Sequence, residues 1–316
     1  MKNKLKIITL AAGEGLRLKD FSKDKDLPKP LINIFNKSMI EWSIESYNPL
    51  VTKGFIKKSD LYFVVLQEHD LNYRISDQLK SMFGNKINII KLKKKTRGPA
   101  ETAYMASNFI KDLNCPIIFN DCDHYFSSNS LVNKIINLDK QKISGIINVA
   151  KTNSKKPDWS YVEVDKKGKL ISIKEKDKLL AEKGADGVVA SYYFTKISTF
   201  KKEAKLMINQ NDRVGEKNRK EFYISKVYDR LVKKGHKFNI ARTAYAFPLG
   251  TPDQIQKFLK KSKKNNMHPE APTIIFDIDG VLFEHDKGFH SKKQKYSYPS
   301  KIIYKNVAFL KQRHKS

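Results

Sequence analysis

Short apolar runs rich in isoleucine and valine alternate with helical spacings through the first half of the chain. KIITLAA (6–12), LYFVVLQ (61–67), INIIKL (87–92), PIIFND (116–121) and SGIINVA (144–150) read as short buried strands. Between them, MIEWSIESY (39–47), AETAYMASNFI (100–110) and SLVNKIINLD (130–139) repeat apolar residues at helical intervals. Strand–helix alternation of this kind predicts an α/β fold, a mostly parallel sheet with helices on both faces.

The texture changes near residue 157. In WSYVEVDKKGKLISIKEK (159–176) two alternating stretches flank Lys166, Lys167, Gly168 and Lys169, the pattern of a hairpin. GVVASYYFT (187–195) predicts another strand, helices follow around 198–209 and 222–234, and KFNIARTAYA (237–246) predicts a last strand. GTPDQIQKFLKK (250–261) opens a helix, with Thr251 as N-cap and Pro252 as first helical residue. The polar, proline-bearing stretch 262–272 reads as a linker, which sets one domain at 1–261 and a separate segment at 273–316.

Composition narrows the class. A chain of 316 residues can bury a substantial core, and no apolar run approaches the roughly 18 residues of a membrane span. The start, MKNKLKIITLAAGEG, has too short an apolar core for a signal peptide. Cys115 and Cys122 give neither a disulfide framework nor a metal-ligand spacing, so a reduced cytoplasm is expected. Net charge is +29, from 62 Lys+Arg against 33 Asp+Glu. The lysines are dispersed, without the basic stripe, interleaved aromatics or helix-turn-helix pattern of a nucleic-acid module. Neither nucleic acid nor membrane is therefore expected as partner; the charge draws in small anions such as nucleotides and sugar phosphates.

Residues 7–34, IITLAAGEGLRLKDFSKDKDLPKPLINI, concentrate the chemistry. Gly13 and Gly15 directly follow the first strand, so the backbone can turn tightly and bring N–H groups to a phosphate. The P-loop pattern is absent, and the dinucleotide pattern G-x-G-x-x-G fails at Leu18. What remains is a glycine turn, Arg17, and Lys29 held between Pro28 and Pro30. Arg17 can grip a pyrophosphate bidentately while Lys29 serves as a compact charge. This suits phosphoryl or nucleotidyl transfer, which relies on positioning and charge neutralisation. A plain strand–turn–helix with a surface lysine is the alternative.

Asp123, in NDCDHYF (120–126), is the candidate metal ligand. Magnesium takes hard oxygens, usually one or two carboxylates with phosphates and water. Asp121 would share its face on a continuing strand. A polar strand end with capping acids is the competing reading, and His124 reads as a loop histidine.

These motifs resemble the signature of the sugar-phosphate nucleotidyltransferases, G-x-G-x-R followed by P-K-P-L, and the resemblance runs through most of residues 4–260. RGPAETAYMASNFI (97–110) is similar to the family's nucleotide-base segment, and PIIFNDCDHYF (116–126) to its strand ending in a magnesium-binding aspartate. SIKEK (172–176) matches its Glu-Lys for the acceptor phosphate, and PLGTPDQIQKFL (248–259) its closing G-T-P helix. The resemblance implies a Rossmann-like sheet carrying a small antiparallel acceptor-binding insertion. It also implies a reaction in which an acceptor phosphate oxygen attacks the α-phosphate of a nucleoside triphosphate and expels pyrophosphate.

In that reaction Ala12, Gly13, Gly15, Gly98 and Thr102 would bind the nucleotide, with Thr102 or Glu101 reading the base edge. Arg17, Lys29 and Lys176 would be catalytic, Glu175, Lys176 and Tyr161 would meet the acceptor, and Asp123 would hold Mg2+. Trp159, Tyr161 and Tyr193 fit either an acceptor lining or the core. The implied setting is surface-polysaccharide precursor synthesis; base, acceptor and homo-oligomer formation stay open.

Two features stand apart. Pro248 occupies the place, two residues before the glycine of G-T-P, where the family commonly has a second metal-binding aspartate. Either a single carboxylate and the phosphates hold the metal, or Asp121 helps, or activity is impaired. Further on, IIFDIDGVLF (274–283) resembles the first motif of haloacid-dehalogenase-type phosphatases, with Asp277 as nucleophile and Asp279 as general acid/base. Residues 284–316 are too few for that domain, so the segment reads as a truncated or degenerate remnant. A bifunctional nucleotidyltransferase–phosphatase and an impaired nucleotide-binding regulatory protein are the alternative functions.

Overall fold

The computed structural model describes residues 5–264, apart from 14, 19–25, 36, 140, 153–156, 167–168 and 216–219, together with 283–284 and 301–302. The chain divides into two compact units, Met1–Lys260 and Lys261–Ser316. In the second, Phe283–Glu284 pairs antiparallel with Lys301–Ile302. Asp277 and Asp279 lie outside the described residues.

The first unit begins with β1 (Lys6–Leu10), the short hairpin β2 (Asn33–Ile34) and β3 (Lys37–Ser38), and helices α1 (Met39–Glu45) and α2 (Asn48–Thr52). It continues through β4 (Leu61–Leu66), α3 (Gln67–Tyr73), α4 (Ile75–Phe83), β5 (Asn88–Leu92), α5 (Pro99–Ser107) and β6 (Ile117–Asp121). After β7 (His124–Phe126), α6 (Asn129–Ile136) and β8 (Gly145–Ala150) comes the predicted hairpin, β9 (Ser160–Val164) and β10 (Leu170–Glu175). The chain continues with α7 (Lys178–Glu182), β11 (Gly187–Phe194), α8 (Ile197–Asn209), α9 (Ile224–Lys233), β12 (Phe238–Arg242), β13 (Ala246–Pro248) and α10 (Pro252–Lys264), within which the first unit ends.

Nine strands form one sheet in the order β10-β9-β11-β6-β1-β4-β5, with β8 on β11 and β12 on β8. β6, β1, β4 and β5 are mutually parallel, whereas β11 runs antiparallel to β6 and β8. This is the expected α/β architecture. Alternation along β1 sends Ile8 and Leu10 into a core shared with α5, α8 and α9, and Ile7 and Ala11 into one shared with α1, α2, α4 and α6. Strands buried on both faces are apolar at nearly every position, which is why they stand out in the sequence.

A polar seam crosses the second face. Asn120 pairs in register with Thr9 on one side and Ser191 on the other. Its amide donates to Ser43 Oγ (2.8 Å), its carbonyl accepts from Tyr47 (2.8 Å), and Ser43 donates in turn to the Asp121 carbonyl (2.8 Å). Buried polar groups satisfied in this way pin α1 to the end of β6, just ahead of Asp123.

Two segments depart from expectation. α3 and α4 have no counterpart in the sequence pattern, because α3 buries none of its residues and α4 only Ile75, Ser76 and Leu79. The strand expected over 237–246 breaks in two: the Thr243 N–H donates to the Val149 carbonyl (2.8 Å) at the end of the ladder, and its hydroxyl donates to the Ser127 carbonyl (2.6 Å), turning the chain toward β7. Cys115 and Cys122 are buried and not joined in a disulfide, and burial pushes their thiols up to about 11 and about 12. Among the described residues no helix is long and apolar enough to cross a membrane.

Candidate functional site

Open α/β sheets bind ligands beyond the carboxyl ends of their parallel strands. There β1 is extended by Ala11, whose N–H donates to Val64 (2.9 Å), before the chain turns through the half-buried Ala12 and the exposed Gly13. Gly15 takes φ +65°, and a Cβ at this position would lie 2.8 Å from Lys29 Cβ. Glycine is thus required both by conformation and by the lysine lying against it. Leu18 donates back to Gly15 (2.8 Å) and is buried, anchoring the turn while Arg17 stays exposed.

Lys29 begins a short 3-10 turn, Lys29–Leu31, bracketed by Pro28 and Pro30. Its ammonium donates to Asp123 Oδ2. The other oxygen, Oδ1, lies 3.0 Å from His124 Nδ1, and the His124 ring packs edge-on against Trp159 with centroids 5.9 Å apart. Strand β13 and the residues that follow it close this cluster: Pro248 pairs with His124, Leu249 donates to the Asp123 carbonyl (2.7 Å), and Gly250 approaches the Asp123 carboxylate.

Burial opposes charge on Asp123, but the Lys29 ammonium and the His124 hydrogen bond outweigh it and hold the carboxyl well below its ordinary range. Burial likewise opposes charge on Lys29, and Asp123 reverses it, raising the ammonium pKa against the repulsion of Arg17. Asp121 behaves oppositely: burial, then the negative Asp123, push it up to about 7. The site therefore holds one carboxylate kept ionised and a second, Asp121, on which burial and the neighbouring Asp123 outweigh the pull of Lys29 and His124.

On the other side, Lys176 adopts φ +51°, and its ammonium sits 5.8 Å from the centre of the Tyr223 ring. A non-glycine residue in the left-handed region is costly, and such strain concentrates at functional positions. Glu175, next to it, accepts hydrogen bonds from Ser160 and from Ser225 (2.8 Å), tying β9, β10 and α9 together. Tyr161 is fully buried against Leu180 and Ala181, and Tyr193 is fully buried in the main core. Of the three aromatic candidates for the acceptor, only Trp159 keeps an accessible face.

The base segment is built on a close backbone approach. Gly98 has φ +142°, and a Cβ there would lie 2.5 Å from Phe222 N and 2.7 Å from its carbonyl oxygen. Phe222 donates to Arg97 (3.0 Å) and accepts from Ala100 (2.8 Å), so the loop is stitched to the residue preceding Tyr223. Side chains here are engaged internally. Glu101 is held by the Arg97 side chain (2.5 Å) and backbone (2.6 Å), and the Thr102 hydroxyl lies 2.6 Å from that of Thr96.

The structure thus brings Gly15, Lys29 and Asp123 into contact and places Lys176 on Tyr223. His124 and Tyr223 are added by the fold. Adjacency to Asp123 is the one sequence signal for His124, and Tyr223 has none. Among the described residues Asp121, Asp123 and His124 offer ligand atoms all within 4.8 Å of one another. Two carboxylates, one of them pushed up by burial and its neighbour, and an imidazole form a donor set that fits a divalent cation.

A glycine turn lies over a lysine–aspartate pair at the carboxyl edge of parallel strands, the place in an α/β protein where an anionic ligand can be taken up. The chain matches the nucleotidyl transferase family over residues 6–264 and belongs to it. Its fold is similar to the inositol-1-phosphate CTP transferase from T. maritima, at 14% identity and a TM-score of 0.62, covering 85% of this chain and 98% of that one. It is similar also to a Bacillus anthracis protein assigned as a glucose-1-phosphate thymidylyltransferase, solved in complex with sucrose (18% identity, TM-score 0.61, 82% and 95% covered). A nucleoside-diphosphate-sugar pyrophosphorylase from Vibrio cholerae RC9 gives 18% identity and a TM-score of 0.60, with 80% and 99% covered. No curated protein matches the sequence.

Proposed function

We propose that this protein transfers a nucleoside monophosphate from a nucleoside triphosphate to a sugar phosphate or related phosphorylated metabolite. The activated product would feed surface-polysaccharide assembly. The observation that carries the reading is the meeting of Lys29 with Asp123 directly against the Gly15 turn. Such a site suits a polyanion whose charge grows at the α-phosphate during reaction.

In this reading the turn at Gly13 and Gly15 offers backbone N–H groups to the triphosphate, and the exposed Arg17 holds the departing pyrophosphate. Lys29 lies where it can neutralise the α-phosphate, and Lys176, fixed on Tyr223, takes the acceptor phosphate. An acceptor phosphate oxygen forms the new bond to the α-phosphorus, and the bond to the bridging oxygen breaks to release pyrophosphate. Asp123, with Asp121, would hold a divalent cation such as magnesium, which when bound supplies charge neutralisation and orientation of the phosphates. With Glu101 and Thr102 engaged inside their own loop, the base is met mainly by backbone of residues 96–101. Glu175 holds the end of β10, which Lys176 directly follows.

The test is pyrophosphate release across a grid of nucleoside triphosphates and phosphorylated acceptors, with Asp123→Asn as control. One productive pair, silent in the variant, is the expected result. Tight binding of a nucleotide with no turnover for any acceptor would overturn the enzyme reading in favour of a regulatory one.

A further inference from the structure

We infer that His124 is a nitrogen ligand of the metal centre, and that the site therefore prefers a first-row transition ion such as Mn2+ or Co2+ over Mg2+. The inference rests on the reading of Asp123 as metal ligand given above, and adds a third donor of different chemistry.

Four observations converge on the imidazole. First, the two oxygens of Asp123 are divided between partners: Oδ2 accepts from Lys29, which leaves Oδ1 on the side of His124. Second, His124 Nδ1 lies 3.0 Å from that oxygen. Two ligand atoms about 2.1 Å from a six-coordinate ion, at right angles to each other, are separated by about 3.0 Å. An ion can therefore sit between these two atoms without moving either side chain far.

Third, the ring is held in place. Its edge-on contact with Trp159 and the pairing of its backbone with Pro248 fix it from two directions. Fourth, Pro248 brings no side-chain donor from the facing strand, and His124 is the residue directly across from it. The third donor of the cluster, beside Asp121 and Asp123, is thus a nitrogen.

The chemical consequence follows from ligand preference. Magnesium favours oxygen and gives up its water reluctantly, while imidazole suits the later divalent ions. The imidazole adds a donor to the two carboxylates without adding negative charge, which favours an ion that bonds nitrogen over a hard cation held by charge alone.

The experiment is electron spin echo spectroscopy on the full chain loaded with Mn2+, alone and with inorganic triphosphate, which contains no nitrogen to confuse the signal. Mn2+ and Mg2+ affinities are measured calorimetrically alongside. A 14N coupling from a histidine is expected in the wild type and its loss in His124→Gln, with Mn2+ affinity falling at least about tenfold. His124→Asp should retain binding, lose the coupling and shift preference toward Mg2+, which shows that the site is still folded. Mn2+ binding without any 14N coupling, or Mn2+ and Mg2+ affinities unchanged in His124→Gln, would overturn the assignment of His124 while leaving Asp123 as ligand. Binding that survives Asp123→Asn would instead overturn the metal reading on which it rests.

Discussion

Lys29 and Asp123, 94 residues apart in the chain, form an ion pair in which the side chains are only 13% and 15% exposed. The pair joins the glycine turn after β1 to the end of β6, and each partner keeps the other charged against the cost of burial. In the proposed reaction this holds a positive group ready at the carboxyl edge of the sheet before the phosphate arrives, the preorganisation that electrostatic catalysis needs.

In the proposed reaction Lys29→Ala should lower kcat by about 100- to 1000-fold, the cost of removing one preorganised charge donor. KM for the nucleoside triphosphate should change much less. Steady-state kinetics on the productive substrate pair measures both, and an undiminished kcat would remove Lys29 from catalysis.

Gly98→Ala should destabilise the protein by roughly 2–4 kcal/mol and weaken nucleotide binding, because the clash is with Phe222 backbone rather than a movable side chain. Gly184→Ala is the control. Its φ of +67° carries the conformational cost, about 1–2 kcal/mol, but nothing lies within 4 Å of the added carbon. Urea unfolding of both variants separates the clash from the backbone strain.

Tyr223→Leu removes the ring beneath the Lys176 ammonium. A cation–π contact of about 1 kcal/mol corresponds to about a fivefold rise in acceptor KM. KM for the nucleotide should be unaffected, and an equal change in both would mean that the substitution disturbs the Phe222 loop instead.

Stability should depend on pH through Glu203, far from the site. Its buried carboxylate accepts from Arg230 (2.6 Å) and Lys234 (2.5 Å), locking α8 to α9. Burial alone would raise its pKa, but the two cations outweigh that and hold it below its ordinary 4.5. A depressed carboxyl contributes stability above the unfolded-state value and loses it as pH falls through the folded-state value. Glu203→Gln should thus cost roughly 3 kcal/mol at neutral pH, and the difference from wild type should shrink below about pH 4.5. A difference that stays constant down to pH 3 would mean the ion pairs contribute nothing.

The strands at Lys6–Leu10, Leu61–Leu66, Asn88–Leu92, Ile117–Asp121 and Gly145–Ala150 are all legible as apolar runs, since helices cover both their faces. Helix α3 leaves no such trace, because a helix that buries nothing has no apolar stripe to display. Period-two alternation in the hairpin shows that residues 159–163 have two faces, but not which face meets protein. Packing of α7 on β9 decides that, and it turns Tyr161 into the interior beneath Leu180 and Ala181.

By itself, the sequence determined the alternation of strand and helix and the local turn chemistry around Gly15, Pro28, Lys29 and Pro30. Those depend on burial pattern and on backbone preferences between near neighbours. Only the tertiary structure decided that Lys29 shares Asp123 with His124, that Pro248 faces His124, and that Tyr223 lies under Lys176. These contacts join elements far apart in the chain. Strand register and helix packing set them, and neither is written in the spacing of any one segment.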